Sequence, residues 1–283
     1  MKVTSLKFIF TVYLLFNFKI DHAQVELYSN HIDRNICSKN KIREIKIYEH
    51  YEIEKEQKRL LFHLHYNRKG CCIESFFYQP YLPEVFPMVK RNIEPYHELF
   101  KYNKSDSLIR HTGFINNSPV SRDFTYENKD AFTTELSDGN DIWVYRFDSI
   151  GELTQKAWYT KIGNERLPQR LEKYEYDSTG RKIKTTAYNP DTSIFYYENY
   201  EYDSTSHLTL IKQYRENSLR TICEYVYEKE NLIAVNYSDL LEPKNSTWTK
   251  YTRNEIGLVL KETGILSGNK NVYEREYEYK YDD

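Results

Sequence analysis

Tyr174-Glu175-Tyr176-Asp177-Ser178-Thr179-Gly180 is the clearest copy of a pattern that recurs along this chain and leaves it few folds to choose from. Two aromatic residues stand at alternate positions, an acid or amide follows, and three residues later comes a residue that tolerates a left-handed backbone. Alternation places both rings on one face of a strand. The acid or amide can cap a type I turn by accepting from the backbone two residues on. A type I turn followed by a left-handed residue is a common three-residue hairpin loop with a bulge. The turn position is filled in order by Asn40, Gly70, Asp106, Asp130, Gly151, Gly180, Ser206, Asn231 and Gly257. Under this register Tyr202 is expected opposite Leu208 and Tyr200 opposite Leu210, with Glu201 on the other face.

The fold class predicted is therefore all-β, with tandem antiparallel β-hairpin repeats forming a twisted or spiralling open sheet. Helical signals are nearly absent. All 8 prolines are expected in the connections, because a paired ladder excludes them. The cluster from Pro80 to Pro95 divides residues 25–96, read as N-terminal hairpins, from a repeat array over 97–283. The 28 Tyr suit half-exposed sheets, since the ring can be buried while the hydroxyl stays wet.

Ahead of the repeats, Lys2 and Lys7 precede the apolar stretch from Phe8 to Phe18, and Ala23-Gln24 follows. This reads as a signal peptide over residues 1–24, its apolar run too short to span a bilayer. The mature chain is expected to be exported, whether periplasmic, at the cell surface or secreted, with no stable membrane insertion. Lys plus Arg number 40 against 42 for Asp plus Glu; that balance supplies no field for nucleic acid.

The segments Tyr145 to Leu153, Tyr174 to Lys182 and Tyr200 to Leu208 resemble the YD repeat of the RHS and teneurin families. The chain is similar to short exported bacterial members of Bacteroidetes type. The resemblance implies a spiralling sheet of successive hairpins, which in large members closes into a shell around a toxic or self-cleaved segment. A shell fragment or accessory of an RHS-type secreted toxin system is accordingly one expectation. The leading one is a non-enzymatic binding or structural module at the cell envelope, with carbohydrate or an envelope protein as partner.

No zinc-protease, nucleophile-elbow or phosphate-loop motif is present, so neither an enzyme nor a cofactor is expected. Aromatics outside the repeat core, Trp143, Trp158, Tyr196, Tyr197 and Trp248, are the candidate carbohydrate-binding residues, because flat rings stack on sugar faces. A third expectation is metal binding. His63 and His65 share a strand face, and Cys71, beyond the next turn, is the candidate third ligand of a zinc or copper site.

Overall fold

The computed structural model describes residues 34–51, 59–78, 96–104, 108–115, 118–265 and 272–281. Residues 1–24, read as a signal peptide, the Pro80 to Pro95 cluster and the Asp106 turn position lie outside them.

At five of the nine turn positions the local chemistry is the one the motif calls for. The caps are Asn67, Asp148, Asp177, Asp203 and Asn254. Each accepts on Oδ1 from the amide two residues on and from the amide four residues on, at 2.9–3.2 Å. The residue three after each cap is left-handed: Gly70, Gly151, Gly180, Ser206 and Gly257. Three positions depart from the pattern. Asn40 follows a short helix, α1 (Arg34–Lys39), and opens no hairpin. Asp130 is itself the cap, accepting from the Phe132 amide. Asn231 begins a strand after the two-residue loop Lys229-Glu230, Glu228 pairing directly with Asn231.

Nineteen strands result among the described residues. They are β1 (Ile42–Tyr51), β2 (Arg59–Tyr66), β3 (Cys72–Phe77), β4 (Tyr96–Tyr102), β5 (Leu108–Ile115), β6 (Ser118–Asp123), β7 (Thr125–Asp130), β8 (Thr133–Ser137), β9 (Asp141–Phe147) and β10 (Leu153–Ile162). There follow β11 (Glu165–Tyr176), β12 (Lys182–Tyr188), β13 (Ile194–Tyr202), β14 (Leu208–Arg215), β15 (Ser218–Glu228), β16 (Asn231–Asp239), β17 (Thr247–Arg253), β18 (Val259–Ile265) and β19 (Val272–Tyr281). They form one antiparallel up-and-down sheet.

The open sheet expected from the repeat needs correcting, because β19 turns back onto β1 over nine register pairs, from Ile42↔Tyr281 to Tyr51↔Tyr273. The sheet is thus nearly closed into a barrel. The remaining seam is at Phe124, where β6 runs straight on into β7. β6 pairs with β5 and β7 pairs with β8, and Phe124 N–H still donates to Ile109 O at 2.9 Å. Counted as one strand, β6 and β7 reduce the nineteen to 18. Antiparallel pairing all round a ring requires an even number of strands, so this continuity is what lets β1 and β19 meet in the right direction.

Two other expectations are corrected by local geometry. Pro119 and Pro168 lie within β6 and β11 rather than in connections. Both sit where the strand is paired on one side: Pro168 opposes Tyr159 of β10 before pairing with β12 begins at Leu171. A residue without an N–H is tolerated on such a half-edge. Tyr202 does oppose Leu208, but the bulge inserts a residue before the next pair, so Tyr200 opposes Ile211 and Leu210 opposes Glu201.

The two faces of the sheet differ in chemistry. Inward are the repeat aromatics and the buried core, in which Ile45, Ile47, Phe62, Leu64, Tyr66, Cys72, Val259 and Tyr277 pack together with Cys37 of α1. A second cluster joins Phe124, Leu136 and Tyr145, and Phe100 packs against both. Among the described residues, none of the four cysteines is joined in a disulfide. Outward stand charged cross-strand pairs such as Lys184–Glu175 at 3.7 Å, Lys212–Glu201 at 2.7 Å and Lys261–Glu274.

Successive hairpins are tied by a repeated hydrogen bond. An inward tyrosine donates to the backbone of the preceding hairpin, just past its turn: Tyr176 and Tyr202, each just before a cap, to Leu153 O and Lys182 O, and likewise Tyr102 to Cys72 O and Tyr279 to Val259 O, at 2.6–2.8 Å. Arg253 stands in the tyrosine position and does the same to Leu232 O through Nε at 2.9 Å. Tyrosine recurs there because the ring fills the inner face while the hydroxyl satisfies a carbonyl next to a bulge.

Candidate functional site on the inner face

Strand period and register decide which sequence candidates meet. On β9, Trp143 shares the inner face with Tyr145 and Phe147. Across β10, Trp158 lies directly opposite Trp143, and its indole N–H donates to Asp141 Oδ1 at 3.2 Å. On β13, Tyr196 faces inward opposite Ala187, which in turn opposes Glu172 of β11. Trp143, Trp158 and Tyr196 therefore share one face, five strands wide from β9 to β13. Tyr197 and Trp248 do not join them. Tyr197 is on the outer face, stacked on Tyr214 at 4.7 Å. Trp248 also points outward, with the Lys250 ammonium over its ring at 5.7 Å.

Carboxylates accompany these rings. Glu172 and Glu198 stand two residues before the first repeat aromatic. Each accepts a 2.6 Å hydrogen bond, from Tyr174 and Tyr200 respectively. Gln213 donates to the other oxygen of Glu198 at 3.0 Å. The Lys182 ammonium lies over the Tyr200 ring at 4.3 Å and that of Tyr174 at 5.8 Å. Burial, with the neighbouring carboxylates, pushes the Tyr174, Tyr196 and Tyr200 phenols far above their usual range, so all three are neutral donors at any ordinary pH. Tyr145 is 1% exposed, and its hydroxyl has no hydrogen-bond partner among the described residues. A buried hydroxyl without a partner forgoes about 1–3 kcal/mol.

Sequence reasoning named the rings but missed the acids. The signal was present: Glu98-x-Phe100-x-Tyr102, Glu172-x-Tyr174-x-Tyr176 and Glu198-x-Tyr200-x-Tyr202 repeat one inward acid. Glu98 occupies the same place, buried, accepting from Ser75 at 3.0 Å and bonded to His111 at 2.9 Å.

The metal candidates lie on the opposite face. His63 and His65 are partly buried on β2, their rings 4.3 Å apart. Cys71 is 1% exposed in the turn after β2. The carboxylate beside the two histidines belongs to Glu44 of β1, at 2.8 Å from His63 Nε2. A hydrogen bond from Lys46, assisted by His63, holds the Glu44 carboxyl down at about 2. Burial draws His63 below the usual imidazole range, against the pull of Glu44.

No family model matches the chain, and no curated protein is similar to it. Among solved structures it is similar to a porin-like protein from Bacteroides uniformis ATCC 8492, at 12% identity over 84% of this chain and 98% of that one, with a TM-score of 0.44. It is also similar to a porin-like protein from Bacteroides vulgatus ATCC 8482, at 11% identity over 84% and 97%, with a TM-score of 0.29. A third is TcdB2-TccC3-TEV, at 13% identity over 81% of this chain and 14% of that one, with a TM-score of 0.32. No helix among the described residues is long and apolar enough to cross a membrane.

Proposed function

We propose that this chain is an exported, non-enzymatic binding module of the cell envelope that takes a carbohydrate on its inner face, between β9 and β13. The observation that carries the reading is the sidedness of the sheet. Strands that span a lipid bilayer turn apolar residues outward and polar ones inward. Here ionised cross-strand pairs stand on the outer face, interspersed with rings such as Tyr197 and Trp248, and the inner face gathers rings with carboxylates. That supports a barrel standing in water whose recognition chemistry is internal.

Trp143, Trp158 and Tyr196 supply flat apolar surfaces for the C–H faces of a sugar ring. Glu172 and Glu198 supply acceptors for sugar hydroxyls. A concave apolar surface with a few fixed polar groups is the usual makeup of a small-molecule site.

A glycan array probed with the mature chain tests the proposal, followed by titration of any retained glycan. Binding by the native protein, weakened about tenfold in Trp158→Ala and in Glu172→Gln, is the expected result. Absence of retention on every polysaccharide, or equal retention by both variants, overturns it.

A further inference from the structure

We propose that Glu44, His63 and His65 form a binding site for a divalent transition-metal ion of the zinc class on the outer face of β1 and β2. The site is separate from the inner-face cradle.

The geometry follows from two adjacent strands. His63 and His65 are two apart on β2, so both imidazoles project from one face. The register puts Glu44 of β1 directly opposite His65 and Lys46 opposite His63, so the Glu44 carboxylate reaches both rings. One donor atom from each of the three residues lies within 4.8 Å of the others. Bonds of about 2.0–2.2 Å from zinc to imidazole nitrogen and carboxylate oxygen set tetrahedral ligand atoms about 3.4 Å apart, so the 2.8 Å contact between Glu44 and His63 opens on binding, an adjustment that side-chain rotation supplies. Phe76 of β3 lies against both imidazoles, 5.9 Å from the His63 ring and 6.4 Å from that of His65. It limits the rotamers the pair can adopt, which preorganises them.

Two imidazoles and one carboxylate are a borderline-soft donor set suited to zinc, cobalt, nickel or copper rather than to magnesium or calcium. Three protein ligands on a partly open surface leave the fourth position to water or to a group from outside. Glu74 does not complete the set. It opposes His65 from β3 but is bonded to His97 at 2.9 Å.

The carboxylate is already neighboured by cations, Lys46 Nζ at 2.9 Å and Lys280 Nζ at 3.6 Å. An incoming dication must displace the Lys46 contact, which makes Lys46 the handle that separates a metal site from a surface ion cluster. A metal site gains affinity when that competitor is removed, whereas a purely structural ion cluster gains nothing.

The test is isothermal titration of the purified chain with zinc, alongside Glu44→Gln, His63→Ala and Lys46→Ala, each verified as folded by circular dichroism. One zinc per chain is expected, with affinity lower by about tenfold or more in Glu44→Gln and His63→Ala and higher than native in Lys46→Ala. A Cys71→Ala variant is expected to bind as the native chain does. Loss of stoichiometric binding in the native protein, or unchanged affinity in Glu44→Gln and His63→Ala, overturns the assignment. Because these side chains are on the outer face, glycan retention is unaffected by all of them.

Discussion

The Asp203 carboxylate shows how much one side chain decides at a turn. It accepts from the Thr205 hydroxyl at 2.7 Å and from the Thr205 and His207 amides at 2.9 Å, and the hydroxyl bond is the main reason its carboxyl is held below the usual range. Asp177 and Asp191 are lowered in the same way by Thr179 and Ser193. A carboxyl depressed on folding stabilises the fold above the ordinary carboxylate range and loses that contribution as pH falls through it. His207 has the opposite sign. Its Glu230 partner raises it, so its contribution is complete below the ordinary imidazole value and lost as pH rises through the elevated one. Asp203→Ala is expected to lower Tm by about 2–4 °C at neutral pH. Asp203→Asn keeps the acceptor and should lose less there, while softening the acid limb of the stability profile. Thermal melts between about pH 3 and 8 distinguish the two.

Between hairpins, the tyrosine hydroxyl bonds are the unit of cohesion. Tyr202→Phe keeps the ring and removes only the bond to Lys182 O, so it is expected to cost about 1 kcal/mol. Tyr176→Phe, at the preceding hairpin junction, should cost a similar amount, and urea unfolding of the single and double variants checks both values. These elements were legible to unequal degrees. The Asx cap and its left-handed partner are neighbours in sequence and chemically local, so five turns could be located from composition alone. The bulge that sets Tyr200 against Ile211 depends on backbone twist and left no residue signature. Glu44 was missed as a partner of His63 and His65 because it lies on the strand before them, and no hairpin motif marks that turn. The inward acids Glu172 and Glu198 did repeat, but period-2 reasoning needs a register before it can place them beside Trp158 and Tyr196.

At the scale of the whole molecule, closure rests on a buried charge cluster. Arg275 on β19 donates to Glu49 of β1 through Nε at 2.8 Å and to Glu262 of β18 through Nη1 at 3.0 Å. Glu262 also accepts from Tyr273 and Tyr277 at 2.7 Å. The three charges are almost fully buried, between 4% and 7% exposed. Removing one partner strands the others in a poorly solvated place. Arg275→Met is expected to cost about 3–5 kcal/mol, measured by chemical denaturation and larger than either tyrosine change. Nothing local announced this contact, because Glu49 and Arg275 are 226 residues apart.

The meeting of β1 with β19 alters how such a repeat protein comes undone. A linear array of stacked units has two ends, and each can peel away one hairpin at a time at the cost of a single junction. A ring has no end to peel. Opening it requires breaking a ladder bordered on both sides, so amide exchange should be slow and nearly uniform around the circumference. The exception falls at Phe124, where a single strand is shared between neighbours and the hoop is thinnest.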